Sequence, residues 1–392
     1  MKRSFLLACT AILSVSFAHA NNGDQVVGFS ALSNAMGGAV TATPHDVTTS
    51  LSNPAGLASL DLGSTNTRFD MNLAVLNPIR ELNGVESDNS VYLMATGGFA
   101  FRNTMMGDRL TIAVGAYPVS GGGVDFPSQA FNATNPQTGS QTSVSIVATR
   151  LSMRIGPSVA YQATDKLALG LNVSLASNMM SVKGVTNFPT DVAYGVSYVL
   201  GLTYELSDQL RFGAAYTSQT FSEDLEWNLN DGKYSLSFND PQTVAIGLSY
   251  SPSEQFLVEL DVKWLNFSGV RDDAQLTTPA HLPDQSLAYG WSDQYVFALG
   301  VKYVASDKYT FLAGYNYGES PIEEDDINNN IGVTAIVEHH ISGGISIRMS
   351  DYTEMTFSII HGLSNSMTAS VGPPTEVTFE TNFATAQFTY KF

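Results

Sequence analysis

Apolar residues alternate with polar or small ones along most of the chain. Phe256, Val258, Leu260, Val262 and Trp264 fall on one face of a single stretch, and Leu257, Glu259, Asp261 and Lys263 on the other. Leu167, Leu169, Leu171, Val173 and Leu175 alternate with Lys166, Ala168, Gly170, Asn172 and Ser174, and Ala335 to Met349 repeats the pattern. A period of two is that of a β-strand with unlike faces. Fourteen such segments are expected. They lie at about 64–78, 89–104, 108–119, 143–163, 165–181, 191–206, 208–227, 240–252, 254–268, 291–305, 307–318, 333–350, 352–366 and 377–392.

The connections alternate short and long. Short turns sit at Thr164-Asp165, Ser207-Asp208, Pro252-Ser253-Glu254, Ser306-Asp307 and Ser350-Asp351. Ser, Thr and Asp side chains bond the local backbone and close tight turns. Longer loops occupy 120–142, 269–290 and 319–332. A soluble sandwich would hide its apolar faces between two sheets, and periodicity alone does not exclude it. An even strand number, turn lengths that alternate by side and strands of about ten residues or more favour a transmembrane barrel. The last strand ends on Phe388, Tyr390 and Phe392, all on one face. In lipid such a sheet must close, because every backbone N–H and C=O needs an internal partner. Arg150, Arg154, Lys263, Lys302 and Arg348 fall on the polar face and are expected in the lumen, since a cation at mid-bilayer costs about 2–4 kcal/mol. Tyr204, Trp227, Tyr250, Trp264, Tyr303 and Tyr390 are expected in interfacial girdles.

Composition agrees with this picture. The chain has 392 residues, a formal charge of −18 and only 14% charged residues, with mean hydropathy near zero. Such acidity argues against nucleic-acid binding, which needs clustered Lys and Arg. One Cys excludes a disulfide framework. Residues 1–20 read as a secretory signal: Lys2 and Arg3, an apolar run from Phe5 to Phe17, then Ala18-His19-Ala20. Beyond it no apolar run is long enough for a membrane helix.

Residues 21–62 lack sustained alternation and are rich in small residues. Ala31 to Ala39 is expected to begin a short helix that Gly37-Gly38 ends, and Asn53-Pro54-Ala55-Gly56 is a turn signal. With Asp46, the Gly37-Gly38 pair and Asn53-Pro54-Ala55-Gly56-Leu57 resemble the N-terminal hatch of the FadL-type long-chain fatty acid and hydrocarbon transporter family. Four later blocks also resemble it, at Tyr194–Gln219, Asp240–Pro252, Trp291–Tyr303 and Ala313–Ile322.

After the signal peptide read over 1–20, the resemblance implies a hatch over 21–62 and a fourteen-stranded barrel over 63–392. It implies passive uptake of long-chain fatty acids or other hydrophobic molecules through an outer groove and a pocket beside the hatch. It also implies a lateral path at an inward kink of the third strand. Here Tyr117, Pro118, Gly121, Gly122 and Gly123 suit such a wall defect, since Pro cannot donate to the ladder and Gly accepts a bend. The long loop that follows the fifth strand in the fatty acid type is short here, at about 182–190, so Phe126 and Phe131 are expected to build the groove. Arg150, Arg154, Lys263 and Arg348 are candidate contacts for a ligand carboxylate. Outer-membrane lipids, lipopolysaccharide and the barrel assembly machinery are the expected partners. No cofactor or metal is expected: His339 and His340 face opposite ways and no ligand spacing occurs. Nor does a nucleophile elbow occur, so an enzyme is not expected. The competing readings are a general porin and a surface adhesin or phage receptor.

Overall fold

Leu169, Leu171, Val173 and Leu175 are exposed, while Ala168, Asn172, Ser174 and Ala176 between them are buried. The outside is therefore apolar and the inside polar or small, the inverse of a water-soluble protein. The computed structural model describes residues 22–104, 107–134, 141–184 and 186–392, so the expected signal peptide lies outside the described residues. Its fourteen barrel strands are β1 (Thr67–Leu82), β2 (Tyr92–Asn103), β3 (Leu110–Phe126), β4 (Ile146–Gln162), β5 (Leu167–Lys183), β6 (Asn187–Glu205) and β7 (Leu210–Thr217). They continue with β8 (Thr243–Ser253), β9 (Phe256–Leu265), β10 (Gln294–Val304), β11 (Tyr309–Gly318), β12 (His339–Arg348), β13 (Thr353–Thr368) and β14 (Glu376–Lys391). Each pairs antiparallel with its sequence neighbour. β14 closes on β1, from Arg68 opposite Lys391 to Leu82 opposite Val377. Closure removes the edge that lipid would leave unpaired.

The short turns cluster at one end and are closed as their composition predicts. Thr164 Oγ1 accepts the N–H of Leu167 at 3.0 Å, and Ser350 Oγ accepts that of Thr353 at 3.1 Å. In outer-membrane barrels the short-turn end is periplasmic and the long-loop end extracellular. Tyr161, Tyr204, Tyr250, Tyr303 and Tyr352 are exposed on the outside near the short turns, as a girdle.

Several boundaries differ from expectation. β12 begins at His339 rather than near 333, because Ala335, Ile336 and Val337 are all buried in one apolar cluster instead of alternating between faces. β1 extends to Leu82 because Asn83 and Gly84, with φ of 52° and 75°, form a two-residue turn that pairs Leu82 with Val85. β3 continues to Phe126, well past 119. β7 ends at Thr217, and the chain passes into a small outer sheet of Leu225–Leu229, Gly232–Leu236, Asp273–Thr277 and Gln285–Ala288. Trp227 is therefore buried in that sheet rather than placed in a girdle, its ring 4.9 Å from Phe188 and its indole N–H donating to the Pro189 carbonyl. Alternation persists through 225–229 whichever sheet the segment joins, so the period could not reveal the change. The extracellular mouth is filled by an apolar cluster that includes Phe126, Phe267, Trp291, Ile336 and Phe379.

Candidate functional site

The segment preceding β1 is built from short capped pieces. Ser30 caps the helix α1 (Ala31–Ala35), its hydroxyl taking the Ser33 N–H while the Ser33 hydroxyl takes its own. Gly37 and Gly38 end the helix at φ of 63° and 80°, a conformation costly for a side chain. Asn53 joins three elements. Its Oδ1 accepts the Ala55 N–H at 3.2 Å and so caps the 3₁₀ turn Pro54–Ser59. Its Nδ2 donates to the Thr41 carbonyl at 2.7 Å and to the Leu202 carbonyl of β6 at 3.0 Å. Gly56 and Leu57 are buried within that turn.

The wall is shaped to seat this segment. Asp261 Oδ2 accepts the N–H groups of Val40 and Thr41, each at 3.0 Å, and Glu259 Oε1 accepts those of Ala42 and Thr43. On the opposite side, Asp70 Oδ2 accepts the Val47 N–H and the Arg68 Nε–H, both at 2.8 Å. Close approach elsewhere depends on glycine. Gly170 and Gly201 face one another across β5 and β6. A Cβ at either would lie 2.1 Å from Ala55 N or Asn53 Oδ1.

β3 leaves its neighbour halfway along. β2 and β3 pair from Asn103–Leu110 to Gly97–Ala116 and no further. From Tyr117 to Val124 every residue of β3 is buried, on both faces, so this stretch turns into the lumen. A register shift falls between Pro118 and Ser120, yet Gly121, Gly122 and Gly123 stay paired with Leu151, Arg150 and Thr149 of β4. The edge that β2 abandons is satisfied by other groups. Val119 O accepts the Val26 N–H, and Gly121 N–H donates to Asp24 O, both at 3.2 Å. Gly123 O accepts from Arg80 Nη1 at 2.6 Å and from the Tyr92 hydroxyl at 3.1 Å. The start of the N-terminal segment thus stands in as a strand where the wall parts.

Behind this junction lies a cavity of about 100 Å³. Its apolar walls include Val26, Val27, Phe29, Leu51, Val119 and Leu265; its charged lining is Arg154 and Lys263, with no carboxylate. Of the four candidate cations the structure brings these two together. Arg154 Nη2 is 3.8 Å from Asp240, and Lys263 Nζ donates to the Gly38 carbonyl at 2.6 Å. Arg150 is engaged on both sides, with Asp24 at 2.6 Å and Asp240 at 2.5 Å. Arg348 lies apart, in a second cavity of about 340 Å³ at the short-turn end, beside Lys302, Lys308 and Glu354. Phe126 is fully buried in the extracellular apolar cluster, and Phe131 packs against it.

Three participants were not legible in the sequence: Asp24, Asp240 and Arg271. Arg271 Nη2 lies 3.1 Å from Asp24, and its guanidinium stacks on Phe238 at 3.7 Å. Burial alone would raise the Asp240 carboxyl. Arg150, Arg154 and the hydroxyls of Ser152 and Ser120 outweigh it and hold the group well below the usual carboxylate range. The available signal was Asp24 itself, the single charged residue between Asn21 and Pro44.

The fold has solved counterparts. It is similar to the toluene transporter TodX of Pseudomonas putida, with TM-score 0.77 and 21% identity over 93% of this chain and 99% of that one. It is similar to the toluene transporter TbuX of Ralstonia pickettii, with TM-score 0.77 and 22% identity over 93% and 99%. It is also similar to a FadL homologue of Pseudomonas aeruginosa, with TM-score 0.72 and 13% identity over 94% and 100%. Among curated proteins none matches the chain. A family profile described as outer membrane protein transport protein (OMPP1/FadL/TodX) matches residues 12–361. With that match spanning most of its length, and a closed barrel apolar outside and polar within, the chain belongs to the OMPP1/FadL/TodX family of outer membrane transport proteins.

Proposed function

We propose that the chain is a passive channel for small hydrophobic molecules, with residues 1–20 as its export signal and 21–62 as a hatch inside the barrel. The single observation that carries this reading is the cavity between the N-terminal segment and the wall, apolar on most sides and bounded at the kinked edge of β3 by Val26 and Val119. Each buried methylene contributes about 0.8 kcal/mol, so affinity needs no energy source. The departure of β3 from β2 supports a lateral way through the wall. At about 100 Å³ the cavity is smaller than the engineered apolar cavity of about 150 Å³ that accepts benzene, so it encloses at most a single ring or a short chain. The toluene transporters among the structural relatives agree with that ligand class. A long-chain acid is the second reading, favoured by Arg154 and Lys263 in the cavity lining.

The test is liposome uptake of labelled toluene, oleate and a hydrophilic sugar. Toluene is expected to pass fastest. Faster passage of the sugar than of either apolar compound would favour a water-filled porin and sink the proposal.

A further inference from the structure

Five arginines are buried among the described residues: Arg68, Arg80, Arg150, Arg154 and Arg271. Four face a carboxylate within 4.0 Å: Arg68 with Asp70, Arg150 with Asp24 and Asp240, Arg154 with Asp240, and Arg271 with Asp24. Arg80 is the exception. It is 0% exposed, and the groups around it are neutral: its Nη1 donates to the Gly123 carbonyl, and the Tyr92 hydroxyl, bonded to the same carbonyl, is its side-chain neighbour. Its guanidinium lies 4.6 Å from the Phe379 ring centre, and its Nε and Nη2 have no partner among the described residues.

An arginine does not shed its proton, and a buried cation without an anion is strongly unfavourable. Nε–H and Nη2–H project side by side, the fork that takes both oxygens of a carboxylate. The surroundings specify the rest of the ligand. Arg80 stands between the apolar cluster of the extracellular mouth, through Leu82 and Phe379, and that of the lumen, through Leu76 and Phe383. An anion held here would have an apolar body attached. Arg80 also anchors the free edge of β3, where the wall parts.

We infer that Arg80 is a specificity-determining anion site, outward of the Arg154–Lys263 cavity, that receives the carboxylate of an amphipathic organic acid on its way into the lumen. The inference rests on the hydrophobic-channel reading and adds a preference for acids over neutral molecules of the same chain.

The test is equilibrium binding of decanoate and decanol, which differ only at the head, to the purified full barrel at pH 7. Wild type is expected to prefer decanoate. Arg80→Met should weaken decanoate by at least about tenfold and leave decanol unchanged. Arg80→Lys, which keeps the charge and loses the fork, should fall between. If Arg80→Met fails to assemble, Arg80→Lys carries the test through the same decanoate-to-decanol ratio. An equal loss of both ligands, or an unchanged ratio, would make Arg80 only a strut for Gly123 and overturn the inference. So would displacement of decanoate by inorganic phosphate, which marks a bare anion site. If wild type binds decanol but shows no preference for decanoate, the inference fails and the channel reading stands. If it binds neither, both fail.

Discussion

Gln25 lies opposite Ser120 as an antiparallel pair, on the edge of β3 that β2 has left. The flanking bonds, Val26 N–H to Val119 O and Gly121 N–H to Asp24 O, make this a non-hydrogen-bonded pair. Cα atoms in such pairs are about 4.5 Å apart, within the range a disulfide spans. The native Cys9 falls in the expected signal peptide, so a Gln25→Cys/Ser120→Cys protein would have no competing thiol after export. If ligand passes where the N-terminal segment completes the wall, oxidation should arrest uptake and a reductant restore it. Uptake indifferent to the cross-link would show that this short strand is a fixed part of the wall.

Asp240 holds the neighbouring cations together. It accepts from Arg150 Nη2, Ser120 Oγ and Ser152 Oγ, at 2.5, 2.7 and 2.5 Å, with Arg154 nearby. Removing one member of a buried pair costs about 3–5 kcal/mol, because the remaining charge stays desolvated. Asp240→Ala should destabilise the folded barrel by that order in denaturant titrations. The Arg150→Met/Asp240→Leu double variant should recover much of the loss. A single variant as stable as wild type would mean that solvent already screens the site.

The contrast between Arg150 and its partners shows how far local pattern reaches. Alternation places Arg150 in the lumen, because a period of two is a property of adjacent residues. Its carboxylates lie 126 and 90 residues away, at Asp24 and Asp240, and only barrel closure brings them together. The far half of β3 was hidden for another reason. Gly121-Gly122-Gly123 has no side chains to alternate, so a paired strand there looks like a loop. The segment's turns were legible, since Gly37-Gly38 and Asn53-Pro54 encode backbone geometry directly. The wall carboxylates that seat it, Glu259 and Asp261, were visible only as lumen-facing acids.

The glycine seat has a sharp consequence. Gly170 and Gly201 touch the backbone and side chain of the Asn53-Pro54-Ala55 turn so closely that a Cβ cannot be accommodated without movement. Gly201→Val keeps a good strand residue in β6 and should leave barrel assembly intact. The displaced turn should admit protease to the N-terminal segment and raise single-channel conductance in planar bilayers. Asn53→Ala should do the same more mildly, by removing the bonds to Thr41 and Leu202. Closed, protease-resistant channels in both variants would remove the turn from the sealing mechanism.

Acid should loosen the same segment, through His45. Burial, followed by the nearby Lys302 and Arg68, pushes its imidazole down from 6.5 to about 3. A histidine depressed in the folded state is neutral there and prefers to protonate when released. Its contribution to the seat is therefore complete above pH 6.5 and is lost progressively as pH falls toward about 3. Asp46 acts in the opposite sense. Burial and the neighbouring Asp70 raise its carboxyl, so this charge weakens the seat at neutral pH and protonation relieves it on acidification. Asp46→Asn removes that opposing group and isolates the histidine. Protease accessibility of the N-terminal segment in Asp46→Asn should therefore rise as pH falls from 6.5 to 5. In the His45→Gln/Asp46→Asn double variant this rise should be lost. An unchanged acid response in the double variant would transfer the effect to the other carboxylates and away from His45.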